Sequence, residues 1–298
     1  MEPGRGRATR VTRASLAGWL WLVFCGACGP PAGPPGSEQV CNGSPDLCAV
    51  PFDQLVLAGT HNSMSNMEDG WFGPHQQYGL ARQLEDGIRG MLLDTKEWNG
   101  DLYLCHSDCD FGAILLSEAL GLIRDFLLAH PTEVMAIIFQ DAISPEQTAS
   151  AFAKAGLDDL VYTHPPGAVW PRVGEMVEAN TRLLVTAEFS GPPPAWYHHA
   201  WDLFQDTHYA FEDLDSMHCE SHRGTEESPL FLVNHWLAGP LGLPLPSLSE
   251  EANQAEVLWA QLERCEEERG LRPNLIAVDF YAVGDLLAVV DALNGLAD

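Results

Sequence analysis

Histidine side chains end two apolar runs of this sequence, where an imidazole could transfer protons to and from a bound substrate. The run LVLAGTH ends at His61 and is followed by Asn62, and the run LYLCH ends at His106. The unperturbed pKa of histidine is about 6.5, so such a pair can act as base and acid near neutral pH. A lone histidine at a strand end is more often a structural residue. A catalytic role for the pair therefore needs other polar residues that would lie near it.

Polar residues end most of the other apolar runs as well. In a barrel of parallel strands, the carboxyl ends of the strands meet at one face, where active sites form. The sequence therefore predicts one shared site for these side chains. Lys96 is one of only two lysines in the chain, and it could either pair with a neighbouring carboxylate or stabilise a bound anion. The residues concerned are Asp94, Lys96, Gln140, Asp141, Glu188, Asn234, His235 and Asp279.

The apolar runs alternate with helical patterns between residues 51 and 298. Continuous apolar runs are typical of strands that are buried on both faces of a parallel sheet. Their alternation with helices over about 250 residues predicts an α/β fold, a TIM (β/α)8 barrel. Helices are expected at 114–130, 250–270 and 283–295. Strands are expected at 55–61, 90–96, 102–106, 134–141, 182–189, 230–236 and 274–281, with an eighth near 206–211.

The first 28 residues have the features of a secretion signal. Four arginines precede the apolar stretch LAGWLWLVFCGACG, which is too short to span a bilayer comfortably. Two interpretations stay open: a bacterial lipoprotein signal that makes Cys28 a lipid acceptor, or an ordinary signal peptide cut a few residues later. Residues 29–50 would then form a Pro/Gly-rich linker and a disulfide loop, and residues 51–298 the barrel domain. We expect a secreted or cell-envelope protein.

Six cysteines follow the signal segment, and an even number in a secreted chain predicts disulfides. The favoured pairs are Cys41–Cys48, Cys105–Cys109 and Cys219–Cys265. A zinc site is the less favoured alternative, because paired C-x-x-C spacing is missing. The formal net charge of −27 at pH 7 argues against nucleic acid as a partner, since phosphate binding needs clustered lysine and arginine.

Five segments resemble the phosphatidylinositol-specific phospholipase C X-domain family, over roughly residues 51–290. They occur in the family's order: GTHNS, QLEDGIRGMLLDTKEW, LYLCHS, FLLAHPTEVMAIIF and NLIAVDFY. The resemblance implies a distorted TIM barrel and a phosphodiesterase that cleaves a phospholipid head-group phosphodiester through a cyclic phosphate. It implies a general base at His61 and a general acid at His106. It further implies that Asp279 orients the base, that Asp94 is the acidic residue of the second strand, and that Lys96 contacts the phosphate in place of the family's arginine.

The residue after the first histidine separates two kinds of family member. Metal-independent members have aspartate there, whereas calcium-dependent members have an asparagine that binds the ion, and this chain has Asn62. Together with Asp94 and either Gln140 or Asp141, Asn62 could supply oxygens to Ca²⁺. Leu92, however, stands where calcium-dependent members have a glutamate ligand. We therefore expect chemistry that requires no cofactor, with Ca²⁺ as the alternative.

The residues at the positions that bind the substrate head group also differ from those of the family. Glu188 stands where bacterial members have an inositol-binding arginine, and Gln140 where they have a lysine. These two residues and Tyr281 are the expected substrate-binding residues. The expected partners are a phospholipid or another phosphodiester and a membrane surface, to which an N-terminal lipid could attach the protein. Two other hypotheses remain: a metal-dependent phosphodiesterase of another phospholipid or a glycerophosphodiester, and a catalytically silent domain that binds lipid or carbohydrate.

Overall fold

The structure is a computed structural model, and it describes residues 39–209 and 211–296. The predicted signal peptide at 1–28 and most of the predicted linker lie outside the described residues. Within the two described ranges, no helix is both long enough and apolar enough to cross a membrane.

The strands of the described residues form one curled sheet, and helices lie between many of the strands in the sequence. The strands are β1 (Leu57–Thr60), β2 (Gly90–Trp98), β3 (Asp101–Leu104), β4 (Ile114–Leu115), β5 (Met135–Asp141), β6 (Val161–Tyr162), β7 (Leu183–Ala187), β8 (Tyr197–His199), β9 (Phe204–Asp206), β10 (Leu230–His235) and β11 (Leu275–Val278). The α-helices are α1 (Leu80–Asp86), α2 (Leu116–Ala129), α3 (Pro145–Ala155), α4 (Val173–Ala179), α5 (Ala200–Leu203), α6 (Pro246–Ala252), α7 (Ala255–Arg269) and α8 (Leu286–Leu293).

The central path of the sheet runs β6-β7-β5-β2-β1-β11-β10-β9, and every pairing along it is parallel. A short strand, β8, also pairs with β7 in parallel. Among the described residues, no strand pairing joins β6 to β9, so the barrel is closed incompletely. The parallel order and the interleaved helices confirm the predicted α/β class and its distorted barrel.

Both faces of the sheet are buried, as the continuous apolar runs predicted. Ile137 and Phe139 of β5 belong to a cluster that includes residues of α2, whereas Ala136 and Ile138 belong to a second cluster inside the barrel. Successive side chains of a strand point to opposite faces, which explains this alternation. Full burial of one such large apolar side chain stabilises the fold by about 1.5–3 kcal/mol. The apolar packing on both faces therefore holds the strand ends in fixed positions.

The segment 102–106 is not a strand of the parallel barrel, which corrects the prediction. It begins as β3, which pairs with β2 in antiparallel orientation through a tight turn at Asn99 and Gly100, where φ is 54° and 89°. Asn-Gly turns with positive φ favour such two-residue hairpins. His106 therefore lies in a loop beyond a hairpin rather than at the end of a barrel strand.

Other boundaries differ more modestly from the prediction. The eighth strand is β9, which ends at Asp206, so most of the predicted segment 206–211 is loop. The helical pattern at 250–270 is divided into α6 and α7 near Asn253, whose side chain donates to the carbonyl oxygen of Asp279 at 2.9 Å. The helices predicted at 114–130 and 283–295 are confirmed as α2 and α8. The three predicted disulfides, Cys41–Cys48, Cys105–Cys109 and Cys219–Cys265, are all formed.

Candidate active site

A cavity of about 240 Å³ opens at the carboxyl end of the parallel strands. Its polar side chains come from β2, β5 and β10, from the residues directly after β1 and β11, and from loops. Parallel strands present their carboxyl ends at one face, so residues distant in sequence meet there. The structure thereby brings together most of the predicted site. The predicted residues that line the cavity are His61, Asn62, Asp94, His106, Gln140, Glu188, Asn234 and Asp279.

His61 is fixed by a carboxylate and an aromatic ring. Its Nδ1 lies in hydrogen-bond contact with Oδ1 of Asp279, at 2.9 Å, and its ring stacks on Trp236 with centroids 3.9 Å apart. Burial lowers the pKa of His61, and the positive charge of Arg223 lowers it further. Burial raises the pKa of Asp279. The imidazole is therefore neutral at neutral pH. When Nδ1 carries the proton that it shares with Asp279, Nε2 is the atom that can accept another.

A third histidine, His75, lies between the two predicted ones. Its ring centroid is 4.9 Å from that of His61 and 4.7 Å from that of His106, nearly perpendicular to both. Nδ2 of Asn62 lies 3.0 Å from Nε2 of His61 and 3.1 Å from Nε2 of His75, so one amide can donate to both rings. Burial lowers the pKa of His75 to about 3. His75 was missed in the sequence because it lies in a loop that no strand pattern marks.

His106 faces the same cavity from the loop that the Cys105–Cys109 disulfide closes. Among the described residues, its ring makes no hydrogen bond with another side chain. Burial lowers the pKa of His106 to about 4, and the charges of His61 and Lys96 act in the same direction. A phosphate anion bound in the cavity would have the opposite effect, because a nearby negative charge favours the protonated ring.

Two carboxyl groups influence each other on the wall of the cavity. Burial raises the pKa of Asp94 to about 7, the negative charge of Glu188 adds to the rise, and Lys96 opposes it. Burial also raises the pKa of Glu188, against the lowering effect of Arg223. Asp94 is therefore partly protonated at neutral pH, and a neutral carboxyl group can donate a hydrogen bond to an anion.

Arg223 lines the cavity and was not predicted from the sequence. Its Nη1 lies 3.0 Å from Oε2 of Glu188, and its Nε and Nη2 both donate to Oδ2 of Asp206, at 3.0 and 2.6 Å. The guanidinium also lies 4.0 Å from the centre of the Trp201 ring. The side chain of Asn234 donates to the same oxygen of Asp206 at 3.0 Å. No sequence pattern indicated Arg223, because it belongs to the long loop between β9 and β10.

Four predicted site residues do not line the cavity: Lys96, Asp141, His235 and Tyr281. His235 is fully buried, and its Nε2 lies 2.8 Å from the carbonyl oxygen of Ala252. The ammonium group of Lys96 donates to the carbonyl oxygen of Ser107, so it holds the loop of His106 and does not point at a substrate phosphate. The hydroxyl of Tyr281 donates to Asp86 at 2.8 Å, away from the cavity. Lys96 was placed correctly on β2, but that strand continues into the hairpin. Tyr281 lies beyond the end of β11, where the chain has already left the sheet.

Three residues that directly follow a site residue in the sequence have a left-handed backbone conformation. A non-glycine residue with positive φ is uncommon and costs about 1 kcal/mol or more. Such residues concentrate where the surrounding structure imposes a particular geometry. They are Asn62 after His61, Ser107 after His106 and Phe280 after Asp279, with φ of 44°, 59° and 47°.

The donors around the cavity do not form the set expected for Ca²⁺, which takes about six to eight oxygen ligands. The side-chain nitrogen of Asn62 faces the two histidines, and the carboxylate of Asp141 accepts hydrogen bonds from Phe189 and Ser190. Of the suggested oxygen donors, Asn62, Asp94 and Gln140 line the cavity.

One mixed nitrogen and oxygen cluster lies beside the cavity. Its potential ligand atoms, from His61, His75 and Asp279, all lie within 4.8 Å of one another.

Comparisons with known proteins agree with this architecture. The family model PI-PLC X 1 matches residues 47–294. A PI-PLC X domain-containing protein of Arabidopsis thaliana is 28% identical, with the match covering 92% of this chain and 70% of that protein. A protein of Arthroderma benhamiae, named an uncharacterized secreted protein, is 26% identical over 85% of this chain and 62% of its own length. The phosphatidylinositol-specific phospholipase C of Staphylococcus aureus has a similar fold, with a TM-score of 0.55 and 12% identity over 83% of this chain and 94% of that one.

The three disulfides and the secreted relative are consistent with an extracellular location. Disulfides persist in oxidising compartments and are rare in the cytosol.

Proposed function

Because this chain belongs to the PI-PLC X family, we propose that it is a phospholipase C-type phosphodiesterase that works by two-histidine acid–base catalysis. The observation that carries the proposal is the placement of His61 and His106 on separate elements around one cavity. One of these rings is oriented by the buried carboxylate of Asp279. An in-line displacement at phosphorus needs a base on one side and an acid on the other, which this arrangement supplies.

In the first step, Nε2 of His61 removes the proton from a hydroxyl of the head group, whose oxygen attacks phosphorus. Asp279 stabilises the imidazolium that forms, through the hydrogen bond at Nδ1. The bond from phosphorus to the leaving oxygen breaks as His106 donates its proton to that oxygen. The products are a cyclic phosphodiester and an alcohol. Water can then open the cyclic ester with the two histidines in exchanged roles.

Asp94 is placed to stabilise the phosphate in this reaction. With its pKa near 7, it is substantially protonated below that pH. In that form it donates a hydrogen bond to a non-bridging oxygen, where negative charge increases in the transition state. A carboxyl group thus takes the role that the family resemblance implied for Lys96.

The polar half of the cavity fits a head group that carries several hydroxyls. Glu188, Arg223 and Asn234 line it, and they offer both acceptors and donors. The ion pairs of Arg223 with Glu188 and Asp206 offset its charge, so this half does not resemble a site for an isolated anion. Such a mixture of groups supports a polyhydroxyl head group of the inositol kind.

An apolar rim lies on the other side of the site and supports a lipid as the substrate. We define the rim as Phe72, Phe111, Leu241 and Leu243, which are 66%, 49%, 97% and 38% exposed. These residues line a second cleft, which shares His75 and His106 with the main cavity. Because His106 protonates the leaving group in this proposal, the leaving group departs toward the rim. A diacylglycerol would find apolar contacts there.

Replacing a rim residue should weaken turnover at a lipid surface. We expect Leu241→Ser to lower the rate on phosphatidylinositol vesicles by about tenfold, because burying a leucine side chain contributes about 1.5–3 kcal/mol. Leu128→Ser is the matched control, since Leu128 is 61% exposed on α2 and lines neither the main cavity nor the second cleft. Initial rates on vesicles, measured for both variants, check the prediction. Equal rates for the two variants would show that the rim does not contact lipid.

The proposed activity is tested by ³¹P NMR of the purified protein with phosphatidylinositol in mixed micelles, first with Ca²⁺ and then with excess chelator. We expect a cyclic inositol phosphate signal that survives chelation. A signal that disappears on chelation would support a metal-dependent phosphodiesterase instead. Binding to micelles with no new signal in either condition would favour a silent lipid-binding domain.

A further inference from the structure

The Cys105–Cys109 disulfide closes a loop of five residues that contains His106. Both cysteines are buried, at 1% and 4% exposure. In the chain-entropy description, a crosslink stabilises the fold more when the closed loop is longer. The two cysteines of the Cys219–Cys265 pair are 46 positions apart in the sequence, whereas Cys105 and Cys109 are 4 positions apart. The short disulfide therefore adds little to the free energy of unfolding, and its main effect is to restrict the conformation of its own loop.

Two hydrogen bonds with residues of β2 hold the same loop, one through a backbone carbonyl and one through a side chain. The N–H of Cys105 donates to the carbonyl oxygen of Asp94 at 3.1 Å. The ammonium group of Lys96 donates to the carbonyl oxygen of Ser107, the residue next to His106. Ser107 has φ of 59°, a conformation that an unconstrained serine rarely adopts. Both contacts tie the loop to β2, the strand that carries Asp94.

His61 and His106 are thus oriented in different ways. A side-chain hydrogen bond to Asp279 orients His61. The ring of His106 makes no comparable bond among the described residues, so its direction depends on the path of its backbone. A change in that path would move the ring, and proton transfer depends steeply on such placement.

We propose that the Cys105–Cys109 disulfide and Lys96 are the positioning device for the acid histidine, His106. The inference rests on the proposed function, because it concerns the step in which the leaving oxygen receives a proton. Neither group touches the substrate. Loss of either one would weaken protonation of the leaving group and leave the attack by the base largely intact.

The test compares two esters of inositol phosphate in a Cys105→Ser/Cys109→Ser double variant. Phosphatidylinositol has an alkoxide leaving group that needs a proton, whereas a p-nitrophenyl ester has a phenolate leaving group that departs without one. We expect kcat on phosphatidylinositol to fall about 10²-fold and kcat on the p-nitrophenyl ester to fall less than about threefold, as for the loss of acid catalysis alone. The matched control is Cys41→Ser/Cys48→Ser, another short disulfide, which lies in the N-terminal loop and does not line the cavity. It should change neither rate.

Each outcome supports or overturns the inference. Equal losses on both esters, or no loss on either, would overturn it. If the double variant does not fold, Lys96→Met keeps the disulfide and should show the same selectivity with a smaller loss. Lack of activity of the unmodified protein on both esters would overturn the proposed function and this inference with it. Activity of the unmodified protein with unselective losses in the variants would overturn only the inference.

Discussion

His61→Ala is expected to lower kcat by about 10³-fold on phosphatidylinositol, within the range typical of acid–base catalysis. The loss has a specific cause. Nε2 of His61 is the proposed acceptor of the hydroxyl proton, and among the described residues no other neutral imidazole pairs with Asp279. The p-nitrophenyl ester should suffer a similar loss, because removal of the hydroxyl proton precedes departure of either leaving group. Initial rates on the two substrates check both statements.

The control for this substitution is His130→Ala. His130 lies 3.4 Å from Glu85 and lines no part of the cavity, so kcat should not change. A His61→Ala variant that keeps more than about a tenth of the original kcat would contradict the assignment of the base. Retained binding of phosphatidylinositol micelles by the inactive variant would show that the loss is chemical and does not come from unfolding.

Asp94→Leu is expected to lower kcat by about 10²-fold, the effect of removing one hydrogen bond to a developing oxyanion. The pH dependence gives a sharper test. Because the pKa of Asp94 is raised to about 7, the carboxyl group is protonated and active below that pH. It becomes a repulsive anion above that pH. We therefore expect kcat/KM to fall as pH rises through about 7.

The Asp94→Asn substitution separates the effect of donating a hydrogen bond from the effect of a negative charge at position 94. The amide still donates a hydrogen bond but does not ionise, so the decline of kcat/KM near pH 7 should disappear in this variant. Full pH profiles of the unmodified protein and both variants provide the measurement. An alkaline decline that persists unchanged in Asp94→Asn would assign it to another group. The acid limb, which protonation of the base His61 controls, should be the same in all three proteins.

The strand-end rule explains how much of this site could be predicted from the sequence. His61, Asp94, Gln140 and Glu188 lie at the ends of apolar runs, and the parallel sheet brings such ends together. The three disulfide pairs followed from cysteine count and spacing. These features depend on local patterns and on one topological rule, which is why sequence alone could predict them.

The residues that were missed or misplaced depend on contacts that no local pattern records. His75 and Arg223 reach the cavity from loops, so no periodicity marks them. Lys96 turns toward Ser107 because β2 continues into a hairpin. Tyr281 follows Phe280, whose positive φ ends the alternation of the strand and directs the next side chain toward Asp86.

The left-handed residues of the site restrict which mutations the protein can accept. Asn62, Ser107 and Phe280 have different side chains, yet each must hold a backbone that β-branched residues rarely adopt. Only Ser107 could become glycine at little cost, because it is exposed, whereas Phe280 is 1% exposed and packs in the interior. A substitution that relaxes one of these positions would also loosen the side chain before it, which is His61, His106 or Asp279. Stability and the proposed catalysis are therefore opposed at these three positions, and stabilising substitutions should be sought elsewhere in the barrel.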